Sequence, residues 1–182
     1  MLVGLSGPTG VLANEPASAP RVPSVALSEL RIIDDPVEGA VISGQVQVTL
    51  SAALIQAIEK GVSLRFVAEF RVVEPRWWWR DRQVYIKTRA ADLSLHPLTR
   101  QFRVVIDGAA PLVYQDFGEA LRASLAVKGW RVASAGQLPA RGDRRVRLSL
   151  DLGALPKAIQ VTALTSEQWA FDSGWASVQG LR

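Results

Sequence analysis

The chain has 182 residues, 48% hydrophobic and 21% charged, enough to bury a core without staples. With no cysteine and one histidine, His96, it excludes disulfides, thiol nucleophiles, thiolate metal sites and multi-histidine zinc centres. The net charge of +4 comes from basic residues scattered along the chain, not from the clustered basic face that nucleic acid requires.

Met1 to Ala13 is mostly apolar and ends Val11-Leu12-Ala13, a small-residue cleavage pattern. Residues 1–13 read as the remnant of a signal peptide whose start lies upstream, and a periplasmic location follows as an expectation. Residues 14–24, with Pro16, Pro20 and Pro23 among Ala and Ser, read as a flexible lead-in. No run approaches the roughly 18 apolar residues of a membrane-spanning helix.

From residue 25 to 181 the pattern is that of one domain built mainly from strands. Leu30 to Ile33 reads as a short strand ended by Asp34-Asp35-Pro36. Val41 to Leu50 alternates through Ile42, Gly44, Val46, Val48 and Leu50. Ser51 is placed to cap a short helix whose Leu54 and Ile58 share a face, with Gly61 as its stop. Val62 to Val73 is the cleanest alternation, apolar at Leu64, Phe66, Ala68, Phe70 and Val72, polar at Arg65, Glu69 and Arg71.

After Glu74-Pro75 the tract Arg76-Trp77-Trp78-Trp79-Arg80-Asp81-Arg82 opens the next predicted strand. Alternation through Val84 and Ile86 then changes phase to Leu93 and Leu95, predicting a β-bulge near Ala90 to Asp92. The turn His96-Pro97-Leu98-Thr99-Arg100 reverses the chain into Phe102, Val104 and Ile106, completing a three-stranded meander. A second helix is predicted over Tyr114 to Lys128 with Phe117, Leu121 and Leu125 inward and Gly129 as its stop. Trp130 and Val132 open another strand, and Val146, Leu148 and Leu150 line a further one. The four arginines of Arg141 to Arg147 read as a hairpin tip with a solvated face. The tail holds Ile159 to Leu164, Trp169, Phe171 and Trp175. The predicted fold is mostly β, an antiparallel sandwich-like single domain with two covering helices.

The stretch from Phe66-x-x-Glu69-Phe70 through the tryptophan tract to Leu95-His96-Pro97-Leu98-Thr99-Arg100-Gln101-Phe102-Arg103-Val104 resembles domain of unknown function 4390. This proteobacterial family's members are often labelled proline-rich signal peptide proteins. The resemblance covers about residues 28–180, and Leu95 stands where members often carry Tyr. It implies an exported protein, often encoded beside a membrane sensor kinase of the nitrogen-regulation type, and brings no established activity or catalytic residues.

Three consecutive tryptophans in a strand cannot all face one core, because successive side chains point to opposite sides. Either Arg80 and Arg82 stack on the outward ring, or the tract is an aromatic and arginine platform for a protein partner. A glycan or membrane-interface role is a third reading. His96 before Pro97 reads as a turn residue. Hydrolase chemistry would need it as base, with Ser94 or Thr99 as nucleophile and Asp92 as orienting acid, and no nucleophile elbow surrounds Ser94. Asp34, Asp35 and Glu38 read as a turn before Gly39 rather than a calcium site. No cofactor is expected. The resulting expectation is a non-enzymatic envelope protein that binds another protein; an envelope hydrolase using His96 and a small-ligand-binding β domain stand as alternatives.

Overall fold

Strands form where the period-two alternation runs, and helices where a capping residue precedes an apolar stripe. The computed structural model describes residues 22–74 and 82–181. Its first half comprises β1 (Ser24–Asp35), β2 (Gly39–Thr49), α1 (Ala52–Glu59), β3 (Leu64–Glu74), β4 (Arg82–His96) and β5 (Gln101–Ile106). Its second half comprises β6 (Leu112–Tyr114), α2 (Phe117–Leu125), β7 (Trp130–Ala133), β8 (Asp143–Leu150), α3 (Lys157–Thr165), β9 (Ala176–Ser177) and β10 (Gln179–Leu181).

Two sheets result, a small one in the order β10-β1-β2-β7 and a large one in the order β6-β5-β4-β3-β8-β9. All described pairings between strands are antiparallel except β1 with β10. The predicted meander of β3, β4 and β5 forms the middle of the large sheet. Because β9 belongs to the large sheet and β10 to the small one, the chain steps between sheets at Val178, which is buried.

The apolar faces meet in two connected places. Between the sheets lie Ile32 and Ile42 from one side and Phe70, Val72, Val146 and Leu148 from the other. Beyond the small sheet, the helices cover the rest of the large sheet, with Leu54, Ile58, Leu121 and Leu125 packed on Leu64, Phe66, Leu93 and Val104. Each such fully buried side chain stabilises the fold by about 1.5–3 kcal/mol. Ser51 joins this layer as the N-cap of α1: its Oγ accepts from the Leu54 N–H and donates to the Gln168 carbonyl at 2.6 Å. Gly61, at φ +81°, ends the helix region as expected.

Three expectations change. The β3–β4 register runs without interruption from Leu64 opposite Leu93 to Val72 opposite Tyr85, so there is no bulge at Ala90 to Asp92. The irregularity sits at the other end, where Val73 pairs Gln83 and leaves Val84 extra. Tyr85, Lys87 and Arg89 therefore share the inward face of Leu93 and Leu95, while Ile86 points outward and is 45% exposed. The apparent phase shift came from the amphipathic side chains of Tyr85 and Arg89 at inward positions, whose polar tips find partners there. Tyr85 Oη donates to the Val132 carbonyl at 2.8 Å, and Arg89 Nη2 donates to the Ala126 carbonyl at the end of α2.

The second helix is shorter than predicted. Leu112 to Tyr114 pairs with β5 as an edge strand, and Asp116 accepts from the Glu119 N–H as the cap that starts α2. A third helix, α3, occupies the tail segment rich in Ile, Val and Thr. Pro156 precedes it, and its carbonyl accepts from Ile159 and Gln160.

Candidate functional site

Alternation sends every second side chain of β3, β4 and β8 to the outer face of the large sheet. From β3 these are Arg65, Val67, Glu69, Arg71 and Val73, and from β8 Asp143, Arg145, Arg147 and Ser149. The register places Glu69 between Thr88 and Arg147, and Arg71 between Ile86 and Arg145. Gly142, at φ +115°, brings β8 in beside the end of β3; a Cβ there would stand 3.0 Å from the Val73 carbonyl oxygen.

Trp175 is laid onto this face by the chain that follows α3. Asp172 bridges Ser149, Ser173 exchanges hydrogen bonds with the backbone of Leu148, and Gly174 adopts φ +63°. β9 then pairs Ala176 with Val146 and Ser177 with Arg145. The Trp175 ring is 38% exposed, with the Arg71 guanidinium carbon 4.7 Å from its centroid and that of Arg147 5.8 Å away. Both distances are within cation–π range.

Carboxylates hold these arginines in place. Asp172 takes Arg147 with both oxygens, through Nε at 2.8 Å and through Nη2. Glu69 accepts from Arg71 Nε, and Asp143 from Arg145 Nη2 at 3.1 Å. Further along, Arg65 holds Asp92 bidentately at 2.8 and 3.0 Å. The hydrogen bond from Arg147 holds the Asp172 carboxyl below the ordinary carboxylate range, against an opposing effect of burial. Beside Trp175 a shallow cavity of about 300 Å³ is lined by Arg71, Val73, Gln83, Arg145 and Trp175. The arrangement sets a partly exposed aromatic ring beside ion-paired guanidiniums on one sheet face.

Of the predicted interaction tract, Arg76, Trp77, Trp78, Trp79, Arg80 and Asp81 lie outside the described residues. Arg82 is described: it is the exposed first residue of β4 and pairs with Glu74. The described strand thus begins where the tract ends. Glu74 and Arg82 pair across β3 and β4 beside Val73 and Gln83, which line the cavity.

The other family motif is at the far end of the same strand. His96 closes β4 opposite Gln101, and Pro97, Leu98, Thr99 and Arg100 form an exposed turn with Arg100 at φ +55°. At about 3.3 Å per residue, the 15 residues of β4 separate it from the tract end by about 45 Å. The turn and Arg82 therefore do not share one site. His96 Nδ1 lies 3.3 Å from the Thr99 N–H and 3.2 Å from its hydroxyl, an arrangement that closes the turn. Ser94 stands opposite Arg103, and Asp92 is committed to Arg65. Asp35 likewise closes its own turn, accepting from the Val37 and Glu38 N–H groups, which hold its carboxyl below the usual range.

Sequence reading missed Trp175 and its arginines. Alternation does place Arg71, Arg145 and Arg147 on outward faces, but the register that assembles them is not local. No helix among the described residues is long and apolar enough to cross a membrane. No curated protein and no solved structure gives a significant match. Residues 24–179 match the family described as Domain of unknown function (DUF4390), and the chain belongs to that family.

Proposed function

We propose that this chain is an exported, non-enzymatic protein of the cell envelope that docks another protein on the outer face of its large sheet. The observation that carries this reading is Trp175, a partly exposed ring within cation–π reach of two ion-paired guanidiniums. Trp and Arg dominate binding hot spots because they offer large, semi-rigid contact area together with directed donors. Ion pairs fix the arginines before any partner arrives, which lowers the ordering cost of association. A neighbouring membrane sensor kinase is the proposed partner, on the family context that the resemblance implies.

A photo-crosslinking side chain placed at Thr88, on the outer face of the large sheet, tests the reading in intact cells. A discrete adduct is expected from position 88, none from Gln47 on the small sheet, and loss of the adduct in Trp175→Ala with folding retained. Equal labelling from both faces, or an adduct indifferent to Trp175, overturns the docking surface. Fractionation of cells carrying the natural reading frame tests export; recovery of the unprocessed chain in the cytosol overturns that part.

A further inference from the structure

β2 outruns its neighbour on one side. β1 pairs along nearly all of it, whereas β7 reaches only Ala40, Val41 and Ile42. Among the described residues, Ser43 to Thr49 therefore has a free edge, about 20 Å long at about 3.3 Å per residue. No described loop or helix gives this stretch a backbone–backbone hydrogen bond. Only the Gly129 N–H reaches it, bonding Ser43 Oγ at 3.2 Å where β7 begins. None of these residues is charged or a proline, the features that keep edges from pairing.

The inward face of β2 is fully buried at Ile42 and again at Leu50, but Gly44, Val46 and Val48 between them are only half-buried. They form one wall of a cavity of about 180 Å³, and Leu125, Ala126 and Val127 at the end of α2 form the other. Exposed Arg122 and Lys128 complete the lining. Neither side chain forms an ion pair or hydrogen bond among the described residues.

We infer that this groove takes up an extended acidic segment of another protein, added as a strand antiparallel to β2 and in line with β7. The open N–H and C=O groups of the β2 edge supply the ladder. Alternate apolar side chains of the added strand fill the cavity between Val46 and Leu125, covering surface that β2 leaves half wet. Acidic side chains on its other face meet Arg122 and Lys128, which no described carboxylate pairs. The same two cations disfavour a second copy of this chain, because edges pairing about a two-fold axis bring both sets of cations together. The groove lies on the opposite side of the large sheet from Trp175, so it is independent of the docking role proposed above.

Titration of the full chain with an end-blocked octapeptide of alternating Val and Glu, followed by two-dimensional ¹H–¹⁵N spectra and amide exchange, tests the site. Saturable shifts are expected at Val46, Val48 and Leu125, with slowed exchange at alternate amides from Ser43 to Thr49. Arg122→Glu combined with Lys128→Glu is expected to weaken binding about tenfold, as loss of two exposed ion pairs implies. Added salt should weaken binding to the natural chain, and the matching octapeptide of Val and Lys should bind at least about tenfold more weakly. Two further octapeptides, N-methylated at every Val or at every Glu, should differ, because a strand presents alternate N–H groups to opposite sides. One keeps the ladder to β2 and the other loses it. Signal dispersion in each spectrum reports whether the variant is folded.

Equal affinity of the two methylated peptides, or unslowed β2 amides at saturation, overturns the added strand and leaves only a cavity for an apolar anion. Equal binding of the Val and Lys peptide overturns the acidic partner. Concentration-dependent dimerisation that protects the same amides without peptide gives the edge to a second copy and also overturns the inference. Trp175→Ala should leave the titration unchanged, so failure of this groove and failure of the Trp175 surface are read separately.

Discussion

The Arg71 guanidinium lies 4.7 Å from the centre of the Trp175 ring, although 104 positions separate the two residues along the chain. Arg71 reaches the ring from the central strand β3, and Trp175 is delivered by the segment that leads into the edge strand β9. Such a contact on a partly exposed face stabilises the fold only modestly, by about 0.5–1 kcal/mol. Trp175→Ala should therefore lower unfolding stability in urea by about 1–2 kcal/mol, counting the lost ring packing. A loss above about 4 kcal/mol, of the size seen for core tryptophans, would make the ring a core element rather than a contact surface.

The bidentate pair of Arg147 and Asp172 carries a pH signature. The folded-state pKa of Asp172 is lowered, so its contribution is present above the unfolded carboxylate pKa and is lost as pH falls through the folded one. Asp172→Asn should lower stability at neutral pH. The difference from the natural chain should close progressively below about pH 4, where the unfolded carboxyl takes up its proton. Urea unfolding at several pH values checks this, and a difference that stays constant down to pH 2 contradicts it.

The strand phase of β4 can be tested by two neighbouring substitutions. Tyr85→Phe removes the donor to the Val132 carbonyl but keeps the ring, whose centroid is 6.2 Å from that of Phe70. It should cost about 1 kcal/mol. Ile86→Thr, on the outward face, should change stability by less than about 0.5 kcal/mol. The opposite ranking would mean that Ile86, not Tyr85, faces the inside.

Ser51 is fully buried and serves two elements at once, capping α1 and donating to the Gln168 carbonyl. Ser51→Ala leaves both groups unsatisfied in the interior and should cost about 2–3 kcal/mol in equilibrium unfolding. Ser51→Thr keeps the hydroxyl and separates loss of the bonds from loss of volume.

His96→Ala should remove the acceptor for the Thr99 N–H and lower stability by about 1 kcal/mol. The crosslink from position 88 should be unchanged, because the turn lies about 45 Å along β4 from Arg82. His96→Asn, whose side-chain oxygen can replace Nδ1, should restore the turn. A hydrolytic activity abolished by both substitutions would instead assign His96 a chemical role.

Local rules made much of the fold legible. In β2, β3, β5 and β8 the alternation of apolar and polar residues states which face is buried, since the pleat alone sets that period. α1 could be read because its cap, its apolar pair and its glycine stop lie within eleven consecutive residues. β4 was misread where Tyr85 and Arg89 face inward, because a residue-type pattern cannot show a polar tip reaching a carbonyl across the sandwich. α3 was missed because its Ile, Val and Thr residues do not favour a helix, while Pro156 and the Gln160 bonds to the Gly153 and Leu155 carbonyls support a helix start.

The sequence by itself thus determined the class of the fold, the buried faces of β2, β3, β5 and β8, the turn at His96 to Arg100 and the family. Tertiary structure alone decided the phase of β4, with Tyr85 and Arg89 turned inward. It also brought Arg71, Arg145 and Arg147 around Trp175. The reason is physical: burial and capping are settled among near neighbours in the chain, whereas strand register is settled by pairing across long separations.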